Sequence, residues 1–216
     1  MAPRAYTLRR RARTSASTRA RIVESAAALY RERGVTGATL AAIAARADVS
    51  RGTILHHFAG ADGLLEAVAD EVLEALELPD ERILDGIDDR EARIRVFLDA
   101  MVLFFERSTR WWQVFEPVLQ RPALQAREAT YRAQIGRLQD AALGPAVSGD
   151  PEAASVVGAL LHPGTMGAFL GGLDQAGVGA DDRRRLFADV VIGYLDRRAA
   201  AASEVEEPAR HGSIGD

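Results

Sequence analysis

Apolar side chains recur along most of the chain at the spacing of helices rather than strands. From Thr18 to Arg33 the residues Ile22, Ala26, Leu29 and Tyr30 repeat at i, i+4, i+7, i+8, and Gly34 stands where a helix end favours a left-handed residue. Thr39 suits the N-cap of a short second helix with Ile43, Ala44 and Ala47 inward. The turn Ala47-Asp48-Val49 leads to Ser50, the cap of a third helix over about Arg51 to His57. Two short helices joined by a tight turn behind a longer one make a helix-turn-helix, whose second member enters a DNA major groove. A fourth helix is predicted from Ala61 or Asp62 to about Leu76, with Leu64, Leu65, Val68, Val72 and Leu76 on its apolar side and Pro79 beyond its end.

Past an acidic loop at Leu78 to Asp89 the same periodicity predicts helices over Glu91 to Glu106, Arg110 to Leu119, Pro122 to Leu143, Pro151 to Gln175 and Asp181 to Ala202. The fourth of these should be interrupted at His162-Pro163-Gly164. The fold class is therefore all-α. The expected organisation is a flexible arginine-rich arm at 1–17, a helix-turn-helix domain at 18–60, a helical body at 61–202 and a disordered tail at 203–216.

Composition narrows the chemistry. The 216 residues contain no cysteine and no lysine, so all 27 basic residues are arginine. Disulfides, thiol nucleophiles, the P-loop lysine and the Schiff-base lysine are excluded together. The four histidines, His56, His57, His162 and His211, show no metal-ligand spacing, so neither a metal nor a cofactor is implied. An enzyme would have to be built around His162, the one histidine beside an interior helix break, and no catalytic residue is assigned. No apolar stretch reaches the roughly 20 residues of a bilayer span, and the cytoplasm is the expected compartment. The arginine-rich, acid-poor start also has the composition of a transit peptide.

Charge is unevenly spread. The formal net charge is −4, yet residues 1–58 carry eleven arginines against three acids, a net of +8, and the remainder is −12. A basic module on an acidic body fits a polyanion partner for the first quarter only.

The run from Ile22 to Val68, with Thr39-Leu40-Ala41-Ala42-Ile43-Ala44, Val49-Ser50-Arg51-Gly52-Thr53-Ile54-Leu55-His56-His57-Phe58 and Leu64-Leu65, resembles the DNA-binding domain of TetR-type transcriptional regulators. The resemblance implies a homodimer on double-stranded DNA whose binding a small-molecule effector loosens; two-fold symmetry calls for a pseudo-palindromic operator, and the expected role is that of a repressor, with an activator left open. Carried over to this chain, it makes Thr39, Ser50, Arg51, Gly52, Thr53, His56 and His57 the DNA-binding residues. Arg51 would be the base reader, because its fork matches guanine O6 and N7. Three departures from the usual pattern stand out: Leu55 in place of a phosphate-touching aromatic residue, Asp48 in place of a turn glycine, and Ala61 in place of a lysine. The arm could supply the missing charge by entering a minor groove.

For the body, the resemblance implies an effector cavity, and the aromatic and methionine content offers its lining: Met101, Phe104, Phe105, Trp111, Trp112, Phe115, Tyr131, His162, Met166 and Phe169, suited to a mostly apolar ligand. The same residues at helical spacing would also make a filled core. The last two long helices, rich in small residues between Gly158 and Gly172, are where the resemblance puts the dimer interface. A constitutive DNA-binding protein without an effector is the rival reading.

Overall fold

A computed structural model describes residues 3–147 and 149–206, with side chains between 13 and 202 apart from residue 145. Among the described residues there is no strand. The α-helices are α1 (Pro3–Gly37), α2 (Leu40–Arg46), α3 (Arg51–His57), α4 (Gly60–Leu76), α5 (Arg90–Phe115), α6 (Pro122–Val147), α7 (Pro151–Leu160), α8 (Pro163–Gln175) and α9 (Ala180–Glu206), with short 3-10 turns at Glu81–Leu84 and Glu116–Val118.

The chain divides into two compact units. One comprises the residues up to Glu77 together with Arg110–Tyr131; the other comprises Leu78–Thr109 and the residues from Arg132 onward. This differs from the linear division at residue 61, because α5 and α6 each contribute residues to both units.

In the first unit, Ile22, Val23, Ala26, Leu29 and Tyr30 of α1 share a core with Ile43, Ala44 and Ala47, with Ile54 and Phe58, and with Leu64, Leu65 and Val68 of α4. Val114, Val118, Ala123 and Leu124 complete it. Helical order in α1 breaks at Gly34, whose φ of 71° lies in the region glycine enters without steric cost. Helix α1 nevertheless starts at Pro3 rather than Thr18, so the segment expected to be a flexible arm is traced as helix. Proline suits a first helical position, and the alanine, arginine and leucine that follow are strong helix formers. Helix α4 begins at Gly60, one residue ahead of the expected start.

In the second unit, Ile94, Phe97, Leu98, Met101 and Val102 of α5 pack with Leu138 and Leu143 of α6, Val157 of α7, Met166 and Leu170 of α8, and Phe187, Val191 and Leu195 of α9. The acidic loop is anchored rather than loose. Leu84 is buried, and the Arg93 guanidinium donates to the carbonyls of Leu84 (3.2 Å), Ile87 (2.8 Å) and Ala141 (3.0 Å).

The separate helix expected from Arg110 is instead the end of α5. Nothing between Glu106 and Arg110 breaks the ladder, and the Ser108 and Thr109 hydroxyls donate back to the Phe105 carbonyl at 3.2 and 2.7 Å, a bond that lets such residues remain in a helix. The break at residues 161–162 occurs as proline chemistry requires, with Pro163 at the first position of α8. Helix α9 runs to Glu206; the remainder of the expected disordered tail, 207–216, lies outside the described residues.

No single described helix is long and apolar enough to cross a membrane. The pair α7 and α8 reaches that length and composition only jointly, across a 58° bend.

Candidate nucleic-acid interface

Helices α2 and α3 are both capped by hydroxyls. Thr39 Oγ1 accepts from the Ala42 N–H at 3.2 Å, and Ser50 Oγ accepts from the Thr53 N–H at 3.0 Å while lying 2.9 Å from Thr53 Oγ1. Each cap satisfies one of the amide groups a helix start leaves open.

The turn between them is a Schellman motif: the Val49 N–H donates to the Ala44 carbonyl at 3.0 Å and the Asp48 N–H to the Ala45 carbonyl at 3.4 Å. This geometry demands a left-handed residue at position 48, where φ is 49°. Helix α8 ends in the same way, but with Gly177 at the equivalent position (φ 79°). Asp48 thus fills a position that glycine occupies without strain.

The helix-turn-helix is tied to α1 by two further contacts. Arg21 Nε donates to the Ala47 carbonyl at 2.9 Å, and Arg46 grips Glu32 with both terminal nitrogens, at 2.6 and 2.9 Å. The Arg46 fork holds the Glu32 carboxyl below its ordinary range and is itself raised in return. Two more cations rest on rings in this unit, Arg19 over Phe58 at 5.1 Å and Arg31 over Trp111 at 5.3 Å. The basic segment therefore commits part of its charge internally, which composition could not reveal.

Successive residues of a helix turn by about 100°. On α3, Arg51, Gly52, Leu55 and His56 accordingly share one exposed arc, while Ile54 points into the core. Thr53 and His57 are half-buried, beyond the His56 edge of that arc toward the core-facing side. The His56 and His57 rings meet edge to face at 5.5 Å, and His57 also lies 6.3 Å from the Phe58 ring. Of the expected DNA-binding residues, Thr39, Ser50, Arg51, Gly52 and His56 are exposed, and Arg51 makes no ion pair among the described residues.

The structure does not gather the expected effector-lining residues into one unit. Met101, Phe105 and Met166 belong to the core of the second unit, and Phe169 packs on that core with its ring 5.5 Å from Phe187. Phe104 is buried as well. Trp111 and Phe115 stack at 5.4 Å against the core of the first unit, the unit that also takes in Trp112 and Tyr131. The reason is the unbroken helix: α5 passes from one unit's residues to the other's at Thr109, so aromatic residues close in sequence serve different cores. His162 is exposed and acts as the N-cap of α8, its Nδ1 accepting from the Gly164 N–H at 3.2 Å.

Residues 22–68 match the family model for bacterial regulatory proteins of the tetR family. Among curated relatives, an HTH-type transcriptional regulator, BetI 1, from Chromohalobacter salexigens is 37% identical over 100 residues, covering 43% of this chain and 48% of that protein. BetI from Burkholderia ambifaria is 31% identical over 122 residues, covering 56% of this chain and 59% of its own. The matches thus span about half the length of these relatives. Two solved structures share the fold. The multidrug binding protein EbrR, complexed with imidazole, has a TM-score of 0.54 at 21% identity, over 81% of this chain and 87% of that one. A protein from Pseudomonas aeruginosa PAO1 described as a transcriptional regulator has a TM-score of 0.59 at 22% identity, over 85% and 91%.

Proposed function

We propose, from the match of residues 22–68 to the tetR family of bacterial regulatory proteins, that this chain is a DNA-binding transcriptional regulator that acts as a homodimeric repressor and is released from its operator by a small, mostly apolar molecule. Its work is binding, not catalysis. The observation that carries this reading is the exposed guanidinium of Arg51 in the first turn of a capped helix whose opposite side, through Ile54, is locked into a core. A planar fork presented there meets guanine O6 and N7 with two parallel hydrogen bonds. Thr39 and Ser50, at the starts of α2 and α3, sit where backbone N–H groups and hydroxyls meet phosphates, and His56 lies on the same open arc.

Homodimerisation is supported by α9, where Leu186 and Val190, four residues apart on one face, are 39% and 45% exposed. Two such chains related by a two-fold axis would address half-sites about 34 to 36 Å apart. The effector is assigned to the second unit, whose core holds Met101, Phe105 and Met166 with Phe169 packed on it, side chains whose chemistry matches a mostly apolar ligand.

The test is selection of bound duplexes from random DNA by the full chain and by Arg51→Ala. The wild type should enrich two-fold symmetric sequences. The variant should lose preference at one base of each half-site and bind about 1 to 3 kcal/mol more weakly. Enrichment of nothing beyond random sequence would overturn the reading, and release of the selected duplex by apolar small molecules tests the effector.

A further inference from the structure

The open arc of α3 carries one side chain that neither phosphate nor water explains. Leu55 is 49% exposed, more than Val190, Leu186 or Leu103, the other exposed large hydrophobic residues among those described. It follows Arg51 by four residues, so the two side chains lie about 40° apart around the helix and about 6 Å apart along it. Gly52, which adds no side chain, and His56 complete the arc, and Ile54 faces the core.

A leucine neither donates nor accepts a hydrogen bond, so it offers nothing to a phosphate oxygen or to the polar edges of guanine, adenine or cytosine. The major groove presents one apolar group on unmodified bases, the 5-methyl of thymine. We infer that Leu55 is a specificity-determining residue that packs on a thymine methyl, within about two base-pair steps of the base held by Arg51, given the 3.4 Å rise of a DNA strand. This inference rests on α3 being the helix that reads DNA. It adds to that reading a base identity and the atom that reports it. The neighbouring groups agree with the assignment: the arc is otherwise cationic or polar, the groove it would meet is anionic, and Gly52 leaves room for the backbone to come close.

The experiment uses the full chain and the duplex it selects. Each thymine of the site is replaced in turn by deoxyuridine, which removes the methyl and leaves the hydrogen-bonding edge intact. One thymine per half-site should then bind the wild type about fourfold more weakly, the factor carried by burial of one methyl group. Leu55→Ala, whose side chain is already half in solvent, should bind the thymine and uracil duplexes equally. The inference is overturned if no uracil position weakens the wild type, or if Leu55→Ala retains the same penalty. Should the wild type select no duplex at all, the regulator reading falls first and takes this one with it; a selected duplex indifferent to uracil sinks the methyl contact alone.

Discussion

Tyr30 and Asp48 show how much a single position can reveal. Tyr30 is only 3% exposed, and its phenol is pushed up to about 12, chiefly by burial, with Arg121 opposing and Asp62 adding to the shift. The folded state therefore holds its proton more tightly than the unfolded chain. Stability from this group is intact below the ordinary tyrosine value of about 10 and is lost as pH rises toward 12. Chemical denaturation of Tyr30→Phe across pH 9 to 12 should fall less steeply than that of the wild type. Asp48 makes the second case. Asp48→Gly should raise stability by about 0.5 to 1 kcal/mol, because the left-handed backbone then carries no side chain. It should also tighten operator binding by removing an anion beside the reading helix. A stability gain without tighter binding would separate the backbone effect from the charge. At this scale the caps Thr39 and Ser50 and the outward placing of Arg51 were legible from residue type and spacing. The internal engagement of Arg19, Arg21 and Arg46 was not, because the groups they meet lie on other elements.

Helix boundaries divide along the same line. Where a local signal exists, as at Gly34, the 161–162 break or Pro151, the sequence marks the boundary, because proline and left-handed glycine act on the chain's own backbone. Where the chain merely turns polar, as between Glu106 and Arg110, it does not, since polar residues continue a helix whenever the ladder is intact. That is why the spacing predicts two helices where α5 is one, and a single site for its aromatic residues. Helix α8 shows what spacing cannot supply: a Cβ placed on Gly167 would lie 2.9 Å from Phe105 Cζ, so the ring sits directly on the helix backbone. Gly167→Ala should therefore cost about 1 to 3 kcal/mol in urea denaturation despite alanine's better helix propensity. Gly136→Ala in α6, where nothing lies within 4 Å, should instead gain up to about 1 kcal/mol. Adding Phe105→Leu to the first variant should recover part of its loss, a coupling that independent sites would not show.

Over the whole chain the charge is unevenly divided, with a net of +8 before residue 59 and −12 from there on. Binding to DNA should accordingly weaken with salt by about 0.9 log unit per log unit for every phosphate neutralised. Removing residues 1–13, and with them five arginines, should flatten that dependence by about 1 to 4 on all sequences while leaving base preference to Arg51. An unchanged slope would place the start of the chain away from DNA. The seat of Phe105 on Gly167 also bears on how this chain can drift. A side chain at position 167 is accepted at lower cost in a lineage that already has a smaller residue at 105, so among descendants the two sites should change in concert, however far apart they stand in the text of the gene.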